Sequence, residues 1–157
     1  MIIKKIKKNR GFVILYAVMI SSMLLAISLG VANISLKEIN FSTSAKDTND
    51  AFFATDTGAE CALLNDKSTG SVFVDPNSPT ITCNNSSIIA NESPALFWSF
   101  IISGLGSGGQ GCAKVTVDKR NLPITQLVSK GYNDGGSTCT TQTSNSVERQ
   151  LELNYTN

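Results

Sequence analysis

The chain has 157 residues, about one domain at the usual size of roughly 100–200 residues each. It has 13 Lys+Arg against 12 Asp+Glu, a net charge of +1, and no His, which excludes His-based catalysis and His metal ligands. That balance hides a split: Lys4, Lys5, Lys7, Lys8 and Arg10 crowd the first ten residues with no acid, while the other 147 hold 8 bases and 12 acids, a net of −4. The acidic remainder argues against a nucleic-acid partner, which requires a basic surface to displace counterions.

From Gly11 to Leu36 there is no charge for 26 residues. As a helix this run spans about 39 Å, more than the roughly 30 Å hydrocarbon core of a bilayer. Residues 12–36 contain no Pro and one Gly, Gly30, and Ser21, Ser22 and Ser28 can bond back to helix carbonyls. The run is predicted to cross the cytoplasmic membrane, and the bases before it place the N-terminus in the cytoplasm and the rest outside. A cleaved secretory signal is the other reading, with a weak small-residue site at Val31-Ala32-Asn33. Against it, the apolar core is long and no Pro occurs before Pro76.

After Ile34 the pattern becomes amphipathic. Ile34, Phe41, Ala45, Phe52, Ala59 and Leu63 recur at steps of 7, 4, 7, 7 and 4, which keeps them on one face. They are expected to form the stripe on which a domain packs, with Lys46 and Asp50 as an i,i+4 pair elsewhere on the surface. Residues 12–64 thus read as nearly one helix, with 37–64 as its amphipathic continuation and a bend or loosened turn expected near Asp47 to Asp50.

The segment Lys8-Asn9-Arg10-Gly11-Phe12-Val13-Ile14-Leu15 resembles the start of a type IV prepilin, with a short basic leader ending in Gly, an aromatic first mature residue and an apolar helix. The resemblance implies a leader at residues 1–11, cleavage between Gly11 and Phe12 by a prepilin peptidase, and methylation of the new amino terminus. The mature chain would be 146 residues long. A second stretch, Ala51-Phe52-Phe53-Ala54-Thr55-Asp56-Thr57-Gly58-Ala59-Glu60, is similar to the one closing the exposed half of the helix in PilX-type minor pilins. In this family Phe12, Val13, Ile14, Leu15 and Tyr16 would contribute to helix assembly. The implied partners are the peptidase, other pilin subunits and the assembly platform in the membrane.

One position departs from the pattern. Most prepilins have Glu as the fifth mature residue, and here it is Tyr16. In the family that carboxylate is thought to meet a neighbour's amino terminus in the apolar filament core, where a charge is tolerable only when paired. A subunit at the filament tip has no neighbour above it, so the departure points to a minor or tip subunit, as in the tip pseudopilin of type II secretion. Tyr16 also reads as an interfacial aromatic anchor.

Residues 65–157 read as a small extracellular β-rich domain. Turn signals at Asp75-Pro76-Asn77, Asn84-Asn85, Gly104 to Gly111, Asn121-Leu122-Pro123 and Asn133-Asp134-Gly135-Gly136 separate strand-like runs. The runs are residues 71–74, 80–83, 96–103, 113–118, 124–132 and 147–155, several with strict alternation. An antiparallel sheet against a helix stripe gives an α+β fold. Trp98, Phe97 and Phe100 read as core rather than as a contact patch.

Cys61, Cys83, Cys112 and Cys139 all follow the membrane segment and so face the oxidising side. Spacings of 22, 29 and 27 give neither a CxxC pair nor a zinc signature. Three pairings are open. The sequence-local ones, Cys61–Cys83 and Cys112–Cys139, are favoured, with reduced thiols as the other reading.

The run Gly104-Leu105-Gly106-Ser107-Gly108-Gly109 matches a dinucleotide fingerprint, but a strand-like segment follows where a helix is required, so it reads as a hairpin loop. No catalytic constellation, metal site or cofactor is expected. The expected function is that of a minor or tip pilin, built into a pilus or pseudopilus and present in the membrane and then on the cell surface, with loops such as residues 137–146 carrying any adhesive contact. The alternative is a single-pass anchored extracellular binding domain that never polymerises.

Overall fold

The computed structural model describes residues 10–68, 70–74, 76–141 and 143–156, so the leader residues 1–9 lie outside it. The chain divides into two units, Met1–Thr43 and Ser44–Asn157.

Helix α1, Arg10–Lys67, contributes to both units. Its helical hydrogen-bonded run continues through Asp47 to Asp50 and extends past Leu64 to Lys67. Lys67 in the last turn suits the negative end of the helix dipole. Gly70, at φ +97°, turns the chain beyond it.

The second unit is α+β. Five antiparallel strands form its sheet in the order β3 (Asn91–Glu92), β4 (Phe97–Leu105), β5 (Gly111–Asp118), β6 (Ile124–Tyr132) and β7 (Glu148–Thr156). A separate hairpin joins β1 (Thr80–Cys83) to β2 (Ser86–Ile89). Its two turn residues, Asn84 and Asn85, both have positive φ, as a tight hairpin turn requires. Residues 71–74 are not a strand. Phe73 instead leaves the surface to pack against Trp98 and Phe100, with ring centroids 5.7 and 6.4 Å away.

Alternation sets the inner face of the sheet. Trp98, Phe100 and Ile102 on β4 lie opposite Val117, Val115 and Ala113 on β5, and Val115 and Val117 lie opposite Ser129 and Leu127 on β6. These residues are buried together with Ala54, Ala59 and Ala62 of α1. The Gly104 to Gly111 run is the β4–β5 hairpin turn, not a strand-to-helix junction.

The packing stripe on α1 differs from the one expected. The buried positions are Ala51, Ala54, Thr55, Gly58, Ala59, Cys61, Ala62 and Asp66; of the expected stripe Ala59 is buried and Leu63 packs against the core, whereas Ile34, Phe41, Ala45 and Phe52 are exposed. A helix lies close to a sheet only where its side chains are short. A Cβ on Gly58 would overlap the Ser129 hydroxyl and come within 2.9 Å of both Ala113 Cβ and Val115 Cγ2. On the facing strand, a Cβ on Gly131 would overlap the backbone at Ala51 and Thr55. Two hydrogen bonds fix the register: Ser129 Oγ donates to Thr55 O at 2.7 Å, and Thr55 Oγ1 donates to Arg149 O at 3.0 Å. The expected Lys46–Asp50 pair is not among the described ion pairs, and Asp50 instead accepts from Ser107 Oγ at 3.1 Å.

Candidate assembly surface

The first unit presents an apolar helix whose described side chains are exposed. From Phe12 to Thr43 every residue is exposed, including Phe12 at 75%. Gly11 lies in the helix, and Phe12, Val13, Ile14, Leu15 and Tyr16 occupy its first turns, open on all sides. Two of the hydroxyls within it bond back to the helix: Ser22 Oγ donates to Met19 O and Ser28 Oγ to Leu24 O, both at 2.8 Å. Such a surface is long and apolar enough to cross a membrane, and equally suited to packing among similar helices.

The second unit secures the end of α1 in two ways. Cys61 on the helix is bonded to Cys83 at the end of β1, with Cα atoms 5.8 Å apart. A buried ionic cluster then joins helix, loop and sheet. Asp66 and Lys119 are only 3% and 6% exposed and form an ion pair. Lys119 Nζ also donates to Ser71 Oγ at 2.8 Å and to Phe73 O at 3.3 Å. Asp66 further accepts from Ser71 Oγ, and from the Tyr155 hydroxyl at 2.8 Å. Burial raises the Asp66 carboxyl, but the Lys119, Ser71 and Tyr155 donors outweigh it and hold it below its ordinary value. Burial and the Asp66 carboxylate push the Tyr155 hydroxyl up. The pattern of the sequence gave no notice of this cluster, because Asp66 and Lys119 lie 53 residues apart.

The second disulfide, Cys112–Cys139, has Cα atoms 5.5 Å apart and ties β5 to the loop after the 3-10 turn Gly136–Thr138. Around that loop Thr143 Oγ1 donates to Asp134 at 3.0 Å and Val147 N to Asn133 Oδ1 at 2.7 Å. Beside it, an open polar groove of about 490 Å³ is lined by Asp47, Asp50, Ser107, Asp134 and Asn145, among others. Tyr132 is raised to about 12 by burial and by the Glu148 carboxylate.

Among the described residues no group of three or more Cys, Asp or Glu is placed to hold a metal ion. Compared with known proteins, the chain matches no family model, no curated protein and no solved structure. The likeness to pilins stands on the residue patterns at Gly11-Phe12 and Ala51 to Glu60, and on a long N-terminal apolar helix packed by its C-terminal part on a small antiparallel sheet.

Proposed function

We propose that this chain is a structural subunit of a type IV pilus or related pseudopilus, a minor or tip subunit held in the membrane and assembled through its N-terminal helix. The observation that carries the reading is the first half of α1, a run of exposed large apolar side chains directly behind the Gly11-Phe12 junction. Each such side chain gains about 1.5–3 kcal/mol on leaving water. Lipid supplies that environment first and neighbouring helices supply it afterwards. Lipid tails are as apolar as Leu, so exchanging one for the other costs little hydrophobic energy, and packing decides. That near-balance is what a subunit extracted from a membrane into a filament needs.

Tyr16 supports the minor or tip role. A subunit with no carboxylate at that position brings no charge to pair with a neighbour's amino terminus in an apolar core. The two disulfides suit a domain exposed on the oxidising side. Quantitative mass spectrometry of filaments sheared from cells tests the reading. The chain is expected there far below the main subunit. Its absence from filaments would overturn the assembly reading, and near-equal abundance would overturn the minor role.

A further inference from the structure

The outer face of the five-stranded sheet, opposite the face that packs on α1, carries a pairing that works against the fold. Lys114 on β5 lies directly opposite Lys130 on β6. Like charges facing each other across a strand pair destabilise a sheet. Lys130 is relieved by the Glu148 carboxylate at 3.3 Å. Lys114 is exposed and has no hydrogen bond or ion pair among the described residues. The nearby carboxylates are turned elsewhere. Asp118 is held by Arg120, and Glu152 accepts from Gln126 Nε2 at 2.6 Å, further along β6 and away from Lys130. Two open recesses meet at Lys114. One, of about 180 Å³, is lined by Lys114, Lys130, Thr116, Val128 and Tyr132. The other, of about 290 Å³, is walled by Ile88 and Ile89 of β2 and Ile101 of β4, with Asn91 and Ser99 beside them. The Ser99 and Thr116 hydroxyls face each other across β4 and β5 and enter no described hydrogen bond.

We propose that the two recesses form one binding site for a small aliphatic carboxylate, its head between Lys114 and Lys130 and its chain against Ile88, Ile89 and Ile101. The site lies wholly in the second unit and stands whether or not the chain enters a filament. Charge selects the head. The two ammonium groups face one carboxylate, Glu148, which leaves a single positive charge for a ligand to cancel. A carboxylate carries one negative charge and accepts from both ammonium groups at once, so it turns a repelling pair into a bridged one. A phosphate monoester brings close to two negative charges and overshoots. The hydroxyls of Ser99 and Thr116 add neutral donors beside the head. The walls select the chain. Ile89 is 58% exposed, and covering it and its neighbours with an aliphatic chain takes apolar surface out of water on both sides. A local arrangement that costs the free fold stability, set beside a recess of matching chemistry, is the pattern expected of a ligand site.

The test uses the full chain in a non-ionic detergent, with isotope-labelled lysine side chains followed by NMR. The probes are hexanoate, acetate, hexanol and hexyl phosphate at matched free concentrations. Hexanoate is expected to shift the Lys114 and Lys130 signals saturably and to leave Lys46 unmoved. Acetate lacks the chain and hexanol the charge, so each is expected to bind about tenfold or more weakly, the loss that follows from leaving a few methylenes or one ion pair unmade. Lys114→Gln is expected to abolish the response of Lys130 to hexanoate. The same variant should not lower the unfolding midpoint read through Trp98, because it removes a facing like charge. No saturable shift, hexanol binding as tightly as hexanoate, or full binding by Lys114→Gln would overturn the proposal. So would equal movement of every lysine, which is charge screening alone, and tighter binding of hexyl phosphate would overturn the choice of a single negative charge.

Discussion

The two parts of α1 follow opposite packing rules within one helix. In the first, large apolar side chains are exposed on every side among the described residues. In the second, the buried face is made of Ala51, Ala54, Thr55, Gly58, Ala59 and Ala62, and the large residues Phe52 and Phe53 stay 55% and 61% exposed. Bulk is thus spread where the described residues supply no cover, and removed where a sheet does. Close approach, not hydrophobic size, determines which side of the second part is core.

Four variants and a pH series probe that contrast. The largest effect is expected in the second unit from Lys119→Ala, which leaves the buried Asp66 carboxylate without its cation. A loss of about 3–5 kcal/mol is expected, read by denaturant unfolding through Trp98, the only Trp in the chain and fully buried. The same pair gives a signed pH test. In the native protein Asp66 is held below its ordinary 3.8. Its contribution is therefore complete above that value and is lost as pH falls below it. In Lys119→Ala the Lys119 donor and its charge are lost while Ser71 and Tyr155 still donate, so the Asp66 carboxyl rises relative to the parent and acid destabilises the variant less than it destabilises the parent. Unfolding midpoints of both proteins from pH 7 to pH 3 check that the gap between them narrows in acid.

Next comes Leu24→Asp in the first unit, where a charge near the middle of the apolar run opposes insertion by about 2.5–3.5 kcal/mol. A membrane-fractionation assay should show the loss, while the Trp98 unfolding transition stays where it was. Gly58→Ala reverses the pattern. The added methyl group meets Ser129, Ala113 and Val115, so the second unit loses about 1–3 kcal/mol while insertion is unaffected. The smallest effect is expected for Phe52→Ser combined with Phe53→Ser. Both rings are exposed, so the unfolding midpoint should move by no more than about 0.5 kcal/mol per site.

Much of the sheet was legible in the sequence, because alternation with period two survives wherever one face is buried. Residues 80–83 and 124–132 match β1 and β6, and 113–118 and 147–155 fall within two residues of the bounds of β5 and β7. β2 and β3 escaped notice because they are short, mostly exposed, and show no alternation. Residues 71–74 have the composition of a strand, yet Phe73 fills a gap over Trp98. The helix stripe was read correctly only at Ala59 and Leu63, for a more general reason. A hydrophobic pattern ranks positions by side-chain size, so Phe41 and Phe52 outweighed Ala51, Ala54 and Ala62. A helix lying closely against a sheet selects for small residues instead. The apolar first half of α1 was legible because an uncharged run of that length is a local feature, whereas the Asp66–Lys119 pair depends on contacts that only the fold creates.

The central claim is that α1 begins a mature filament subunit at Phe12, and intact-mass spectrometry of the chain from cells with an active prepilin peptidase tests it most directly. The account predicts a chain of residues 12–157 carrying one added methyl group, about 14 Da, on its amino terminus. A chain that still begins at Met1 in those cells would contradict it.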